Sequence, residues 1–179
     1  FLSSASVYKD SGNKQTENLN IDTYSDKFIL EEYLMQLLKT KSTVHLNLRI
    51  SNVYGMHLNY GFINSLYNAY KHHKVSNIFN EKEITRDYIY VEDVIYAIET
   101  LISLHTPQQN LNVSTGIGTS LEDIIKIYLE IGGESKFLRE IQAPLHITKN
   151  SILDCSSLDQ IIEWNPISFK EGFKNILVN

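Results

Sequence analysis

The sequence predicts an α/β fold, and three observations carry that expectation. Short runs rich in Val, Ile, Leu and Tyr recur along the chain, amphipathic segments stand between them, and Gly and Pro fall at the junctions rather than inside. The first eight residues, FLSSASVY, form an apolar strand-like run that ends in hydroxyl side chains. Residues 26–39 place Phe28, Ile29, Tyr33, Leu34, Leu37 and Leu38 on a helical stripe, with Asp26 in the first turn where a carboxylate favours the helix dipole. VHLNLRI (44–50) alternates and reads as a strand, and SNVYG after it reads as a strand end and a turn. Residues 62–73 form a second amphipathic helix. SNIF (76–79) and DYIYV (87–91) are short strands, and Glu92 and Asp93 open a helix to about Leu104 that Pro107 closes. NLNVS (110–114) is another strand. Ser120 to Asp123 resembles a capping box at the start of a helix that ends at Gly132 and Gly133. KFLREI (136–141) is strand-like, and helices are expected over 156–164 and 168–177, separated by Pro166. No repeat or low-complexity linker interrupts this order.

Composition narrows the function classes. The 179 residues are 42% hydrophobic and 21% charged, enough to bury a stable core. A net charge of −5 with scattered basic residues argues against a nucleic-acid surface, although a single Arg can still grip phosphate locally. Cys155 is the only cysteine, which excludes an internal disulfide and a thiolate metal cage and fits a reducing compartment. No run approaches the roughly 18 apolar residues of a membrane helix, and FLSSASVYKDSG lacks the basic start of a signal peptide, so a cytoplasmic location is expected. The histidines do not cluster: His72 and His73 are adjacent and point about 100° apart on a helix, so no metal is expected. Asn112-Val113-Ser114 has the form of a glycosylation sequon in a context that does not support one. An apolar start at Phe1 reads as the interior of a longer protein.

A dinucleotide fold needs a strand, a glycine-rich turn and a helix to hold pyrophosphate. Gly116-Ile-Gly118 lies between a strand and a helix, but Leu121 stands where the third glycine belongs, so an ordinary loop is expected there.

Six stretches in register resemble the extended short-chain dehydrogenase/reductase family, the nucleotide-sugar epimerases and dehydratases. They are FLSSASVY, YSDKFILEE (24–32), LRISNVYG (48–55), RDYIYVEDV (86–94), LNVSTGIGTSLEDI (111–124) and the closing LDCSSLDQIIEWNPISFKEGFKNIL (153–177). The resemblance aligns the chain with about the second half of such an enzyme. It implies the C-terminal part of a Rossmann-like doubly wound sheet plus a small mixed α/β substrate-binding domain. Residues 1–55 would end the Rossmann-like domain, and 56–179 would be mainly substrate domain, with segments around 84–115 returning to the first. The cofactor implied is NAD or NADP, its main binding loop lying in a missing N-terminal half. The partners implied are a nucleotide-diphosphate sugar, that missing half, and a second copy through a bundle containing the 26–39 helix.

The family moves hydride at a sugar carbon while a tyrosine exchanges the hydroxyl proton. A free phenol, with a pKa near 10, is a poor base at neutral pH, so a lysine ammonium must stabilise the tyrosinate. The resemblance assigns Ser4, four residues before Tyr8, to the reacting oxygen, with Ser3 and Ser6 as neighbouring alternatives. The pair would be Tyr24 and Lys27, which would also hold the cofactor's ribose. The family spacing is Tyr-x-x-x-Lys, whereas here Thr23 stands four before Lys27 and Tyr24 three before it. Either Tyr24 remains the acid/base after a one-residue deletion, or Thr23 fills its place and proton transfer is lost; a threonine hydroxyl cannot replace a phenol as base. In the plainer reading Lys27 is a surface lysine paired with Glu31. Asn52 resembles a substrate contact, or else an Asx-turn residue, and Arg86 resembles the clamp on the diphosphate, or else an internal partner of Asp87 or Glu92. Asp93 is expected to cap its helix. SSASVY lacks the acidic pair of the family's 4,6-dehydratases, which favours epimerisation or keto-reduction. The rival class is a noncatalytic nucleotide-sugar-binding or assembly module. Either way, the isolated half is expected to turn nothing over.

Overall fold

A computed structural model describes residues 1–39, 41, 44–56, 58–106 and 109–178. In chain order its elements are β1 (Leu2–Ser4), a 3-10 turn (Ala5–Val7), α1 (Asp26–Leu38), β2 (Leu46–Ile50), β3 (Asn52–Tyr54), α2 (Gly61–His72), β4 (Ser76–Phe79), β5 (Thr85–Tyr90), α3 (Val91–Ser103), β6 (Gln109–Val113), β7 (Gly118–Ser120), α4 (Leu121–Glu130), a second 3-10 turn (Ser135–Phe137), β8 (Leu138–Ile141), β9 (Asn150–Ser151), α5 (Ser156–Asp159) and α6 (Phe169–Val178). The expected helix stop at Pro107 and the residue His57 lie outside the described residues.

Alternation along β2 decides how the first sheet is covered. β2 lies between β1 and β6, parallel to both, with Leu48 opposite Leu2 and Leu111, and Arg49 opposite Ser3 and Asn112. Leu48 and Ile50 join Leu111 and Val113 in an apolar core completed by Val94, Ala97 and Leu101 of α3 and by Leu158, Ile162 and Trp164. The other face is polar yet buried: Asn47, Arg49 and Asn112 are each at most 1% exposed. α1 supplies what that face needs. The Glu31 carboxylate takes three hydrogen bonds from the Arg49 guanidinium, the shortest 2.7 Å, and Arg49 Nη1 donates to the Tyr8 hydroxyl (3.1 Å) and the Glu17 carbonyl (2.7 Å). Charge is tolerated there because both partners are fully hydrogen-bonded.

A second sheet forms around β5, which pairs with β3 and β9 in parallel and with β7 antiparallel. β4 and β8 pair separately, Ser76 opposite Leu138. A second apolar core joins α2, α4 and α6 through Ile63, Leu66, Ile124, Tyr128, Phe173 and Leu177. Gly55, after β3, permits a close approach: a Cβ there would collide with the Val91 side chain at the start of α3.

Several expectations are corrected. The apolar stripe of α1 is only half covered: Ile29, Tyr33 and Leu37 are exposed, Phe28, Leu34 and Leu38 are partly buried, and Glu31 is the buried residue of this helix. Residues 52–54 form a strand of their own, because β3 leaves the first sheet to pair with β5. The helix expected over 156–164 stops at Asp159, and the following residues turn so that Ile162 and Trp164 enter the first core, with the indole Nε1 donating to the Ser114 carbonyl at 2.8 Å. Asp93 does not cap its own helix; its Oδ2 accepts from the Ile167 amide at 3.1 Å, ahead of α6. The Ser120 cap is as expected, its Oγ accepting from the Asp123 amide at 3.0 Å. The sequon residues Asn112 and Ser114 are fully buried.

Candidate substrate site

Two cavities share one wall. The larger, about 1000 Å³, is lined mainly by apolar and aromatic groups such as Tyr54, Leu58, Phe62, Val75, Phe79 and Tyr88. The smaller, about 370 Å³, is lined by Ser6, Tyr8, Lys9, Gln15, Asp22 and Ser151 among others. Ser4, Ile50, Ser51, Asn52 and Arg86 line both. Three of the residues singled out in the sequence, Ser4, Asn52 and Arg86, therefore stand in the partition, each carried there by a strand.

Ser4 ends β1 and opens the 3-10 turn, where its Oγ accepts from the Ser6 amide at 3.2 Å. That bond uses a lone pair and leaves the hydroxyl proton available. The Ser3 hydroxyl, lining the larger cavity alone, is buried without a partner among the described residues. Asn52 is not an Asx-turn residue: its Nδ2 donates across to the Asp87 carbonyl at 3.0 Å, which fixes the carboxamide against β5.

Arg86 is not the internal partner of Asp87 or Glu92. Its Nη1 donates to the carbonyls of Thr85 (2.9 Å) and Lys149 (3.1 Å), and its Nη2 donates to the Thr148 carbonyl. Among the described residues no carboxylate forms an ion pair with it. Burial pulls the guanidinium pKa down, opposed by the more distant Tyr88 and Asp10. A half-buried cation whose direct hydrogen-bond partners among the described residues are carbonyl oxygens, at the junction of two cavities, is suited to an anion.

Asp87 explains the glycine loop. Its Oδ1 accepts from the Thr115 amide (3.1 Å) and hydroxyl (2.7 Å), and its Oδ2 from the Gly116 amide (2.9 Å). Burial raises the Asp87 pKa, and these hydrogen bonds oppose the rise. The Thr115 and Gly116 amides are thus taken by a carboxylate and the Ile117 amide by the Thr115 hydroxyl, so the 116–118 loop is not a pyrophosphate cradle.

Tyr24 and Lys27 stand apart from the partition. α1 begins at Asp26 with Ser25 as its cap, so Tyr24 precedes the helix, as the shifted spacing allows. Tyr24 is 86% exposed and lines neither cavity; its amide accepts no role beyond donating to Asp22 Oδ1 at 3.2 Å, and Asp22 does line the smaller cavity. Thr23 is also exposed. Lys27 is exposed, with its ammonium 5.8 Å from the centre of the Phe1 ring, and its expected partner Glu31 belongs to Arg49 instead. Tyr8 is no substitute base. Its hydroxyl donates to Asn112 Oδ1 at 2.6 Å, and burial pushes its pKa up to about 12 despite the hydrogen bond from Arg49.

Two features escaped the sequence: the Glu31–Arg49 pair, whose members are far apart in the chain, and Gln15, whose loop carries no motif. Among the described residues no group of His, Cys, Asp and Glu could hold a metal, and no helix is long and apolar enough to cross a membrane.

A strand-borne polar partition thus stands between two cavities, on strands flanked by helices. Residues 1–114 match the model of the NAD dependent epimerase/dehydratase family, and the chain belongs to that family. A Methanocaldococcus jannaschii protein named as a proposed UDP-glucose 4-epimerase is 29% identical over 159 residues, covering 84% of this chain and 50% of that protein. Escherichia coli dTDP-4-dehydro-6-deoxyglucose reductase is 27% identical over 145 residues, covering 78% and 46%. The solved UDP-glucose 4-epimerase of Thermotoga maritima with UDP-glucose superposes with a TM-score of 0.86 at 25% identity, covering 99% of this chain and 61% of that one. The chain thus spans about half the length of the curated relatives it matches.

Proposed function

We propose that this chain supplies the nucleotide-sugar-binding part of an NAD(P)-dependent enzyme that epimerises or reduces a sugar at a hexose carbon. The observation that carries this reading is Arg86: a guanidinium with no carboxylate partner among the described residues, in the partition between a large apolar cavity and a small polar one. A nucleotide-diphosphate sugar has the matching order of parts. Its nucleoside suits the larger cavity, its diphosphate the Arg86 fork, and its hydroxylated ring the smaller cavity. Ser4 would bond the reacting oxygen, and Asn52 would offer its remaining amide proton and carbonyl to the sugar or diphosphate.

NAD(P) would supply the hydride-transfer chemistry in such an enzyme. The residues of this chain do not fit the whole dinucleotide, since the described loops offer no pyrophosphate cradle: the Thr115 and Gly116 amides are bonded to Asp87, and the Ile117 amide to the Thr115 hydroxyl. Tyr24 and Lys27 are the candidates for its ribose and for the proton at the reacting hydroxyl. Tyr24 is tied to a residue of the smaller cavity, and a side-chain rotation that turned the phenol inward with Lys27 beside it would serve that role. The two alternatives for the acid/base, Tyr24 and Thr23, differ in outcome: only the phenol can act. The exposed stripe of α1 is consistent with a helical partner, a second copy included.

The second reading, a noncatalytic binding module, is favoured by one observation: Tyr24 is 86% exposed and outside both cavities. Calorimetric titration of the 179-residue chain with UDP-glucose and dTDP-glucose tests the common claim; saturable binding without turnover is expected, and absence of binding to either contradicts it. Absorbance at the NADH wavelength separates the two readings in a longer protein that joins this chain to a dinucleotide cradle. Turnover lost in Tyr24→Phe supports the enzyme, and binding without turnover supports the module.

A further inference from the structure

Gln15 carries a buried acceptor that no described residue satisfies. The residue is 2% exposed and forms part of the wall of the smaller cavity. Its backbone is fully engaged: the amide donates to the Ile152 carbonyl at 2.9 Å, and its carbonyl accepts from the Asp154 amide (2.9 Å) and Asn112 Nδ2 (2.8 Å). The side chain is therefore held in place at its root. Its Nε2 donates to Ser11 Oγ at 2.6 Å and to the Asn13 carbonyl at 3.1 Å, whereas Oε1 has no partner among the described residues.

The amide orientation is decided by chemistry. Rotating it by half a turn would set Oε1 against the Asn13 carbonyl, acceptor to acceptor, so the present orientation is the favourable one. The unsatisfied atom is thus an oxygen, and it needs an O–H or N–H. Leaving a buried acceptor unpaired is costly, and a donor that enters from the adjoining cavity would remove that cost.

We propose that Gln15 is a specificity-determining residue whose Oε1 accepts a hydrogen bond from a hydroxyl or amide N–H of the sugar in the smaller cavity. This rests on the nucleotide-sugar reading above. With the diphosphate at Arg86, the part of the ligand that enters the smaller cavity is the part that must present a donor. Gln15 favours a ring carrying a hydroxyl or acylamino group at that position and disfavours one that is deoxy there, because the deoxy ring leaves Oε1 unpaired.

The test compares the affinities of UDP, UDP-glucose and UDP-N-acetylglucosamine for the 179-residue chain and its Gln15→Met variant by calorimetry. The wild type is expected to bind at least one of the sugars more tightly than UDP. Gln15→Met is expected to keep its UDP affinity and to lose roughly tenfold of that sugar increment. Loss confined to UDP-N-acetylglucosamine identifies an N–H donor, and loss with both sugars a hydroxyl; either supports the inference. An unchanged increment in the variant, or no increment in the wild type, overturns it while leaving the nucleotide reading intact. Failure of UDP and both sugars to bind overturns both. Should Gln15→Met not fold, the assigned Gln15 side-chain amide resonances in the wild type decide: a shift with the sugar nucleotide but not with UDP supports the contact, and no difference between the two refutes it.

Discussion

The partition and the head of α1 were both marked by family motifs, yet only one of them is assembled. Ser4, Asn52 and Arg86 line both cavities together, whereas Tyr24 and Lys27 are exposed at the start of a helix. The difference lies in what fixes each group. Ladder register holds the strand-borne residues: β1 is locked to β2, and β3 to β5, so a motif on a strand fixes a position in space. A helix is placed by what it buries. α1 buries Glu31 fully and its apolar residues only in part, so its placement leans on the Glu31–Arg49 ion pair. Tyr24 accordingly lies before the helix, one residue ahead of its Ser25 cap.

The largest expected effect comes from cutting the tie that places α1. Arg49→Ala leaves the Glu31 carboxylate buried and unpaired and is expected to cost about 3–5 kcal/mol of stability, read as a lowered urea midpoint at unchanged slope. A loss under about 1 kcal/mol would mean that α1 is held mainly by other contacts.

Arg86→Ala comes next and acts on the partition. UDP-glucose affinity is expected to fall on the order of a hundredfold, as charge-assisted bonds to phosphate are lost, and Arg86→Lys should recover little because an ammonium lacks the fork. Full recovery by lysine would show that Arg86 acts as a point charge.

Alkaline pH probes a buried phenol in each region, Tyr8 beside Arg49 and Tyr88 in the wall of the larger cavity. Burial raises the Tyr8 pKa from 10.0 to about 12, against the opposing hydrogen bond from Arg49. Burial raises that of Tyr88 to about 12 as well. The folded state therefore holds these protons more tightly than the unfolded chain. Their contribution is complete below about pH 10 and is lost as pH rises through about 12. Unfolding midpoints measured across that interval should decline, and Tyr8→Phe should flatten part of the slope.

Tyr24→Phe should do least. An exposed hydroxyl without a partner among the described residues contributes little, so stability is expected to change by less than about 0.5 kcal/mol, with UDP-glucose affinity unaltered. A marked loss of affinity would place the phenol in the cavity when ligand is bound.

Much of the architecture was legible because local patterns and tertiary demands agree. The alternation in VHLNLRI, the Ser120 cap and the helix begun by Glu92 each match the structure within a few residues. What was not legible depends on contacts across the chain. The hydrophobic period of α1 identifies a helix but does not say which way the stripe points, since the polar row Ser3, Arg49 and Asn112 beneath it comes from three separate strands. Residues 160–164 keep a helix-compatible pattern, yet Trp164 is drawn to the Ser114 carbonyl and the helix ends early. Asp93 looked like a cap from its position and instead serves an amide 74 residues away. Ser4, Asn52 and Arg86 could be named from strand motifs; the orphan oxygen of Gln15 could be found only once its neighbours were in place.

The most direct test is a crystal structure of the chain with UDP-glucose. The diphosphate should lie within hydrogen-bonding distance of the Arg86 guanidinium, with uridine in the larger cavity and glucose in the smaller. A diphosphate bound away from Arg86, or a ligand lying outside the two cavities, would contradict the assignment of the partition as a nucleotide-sugar site.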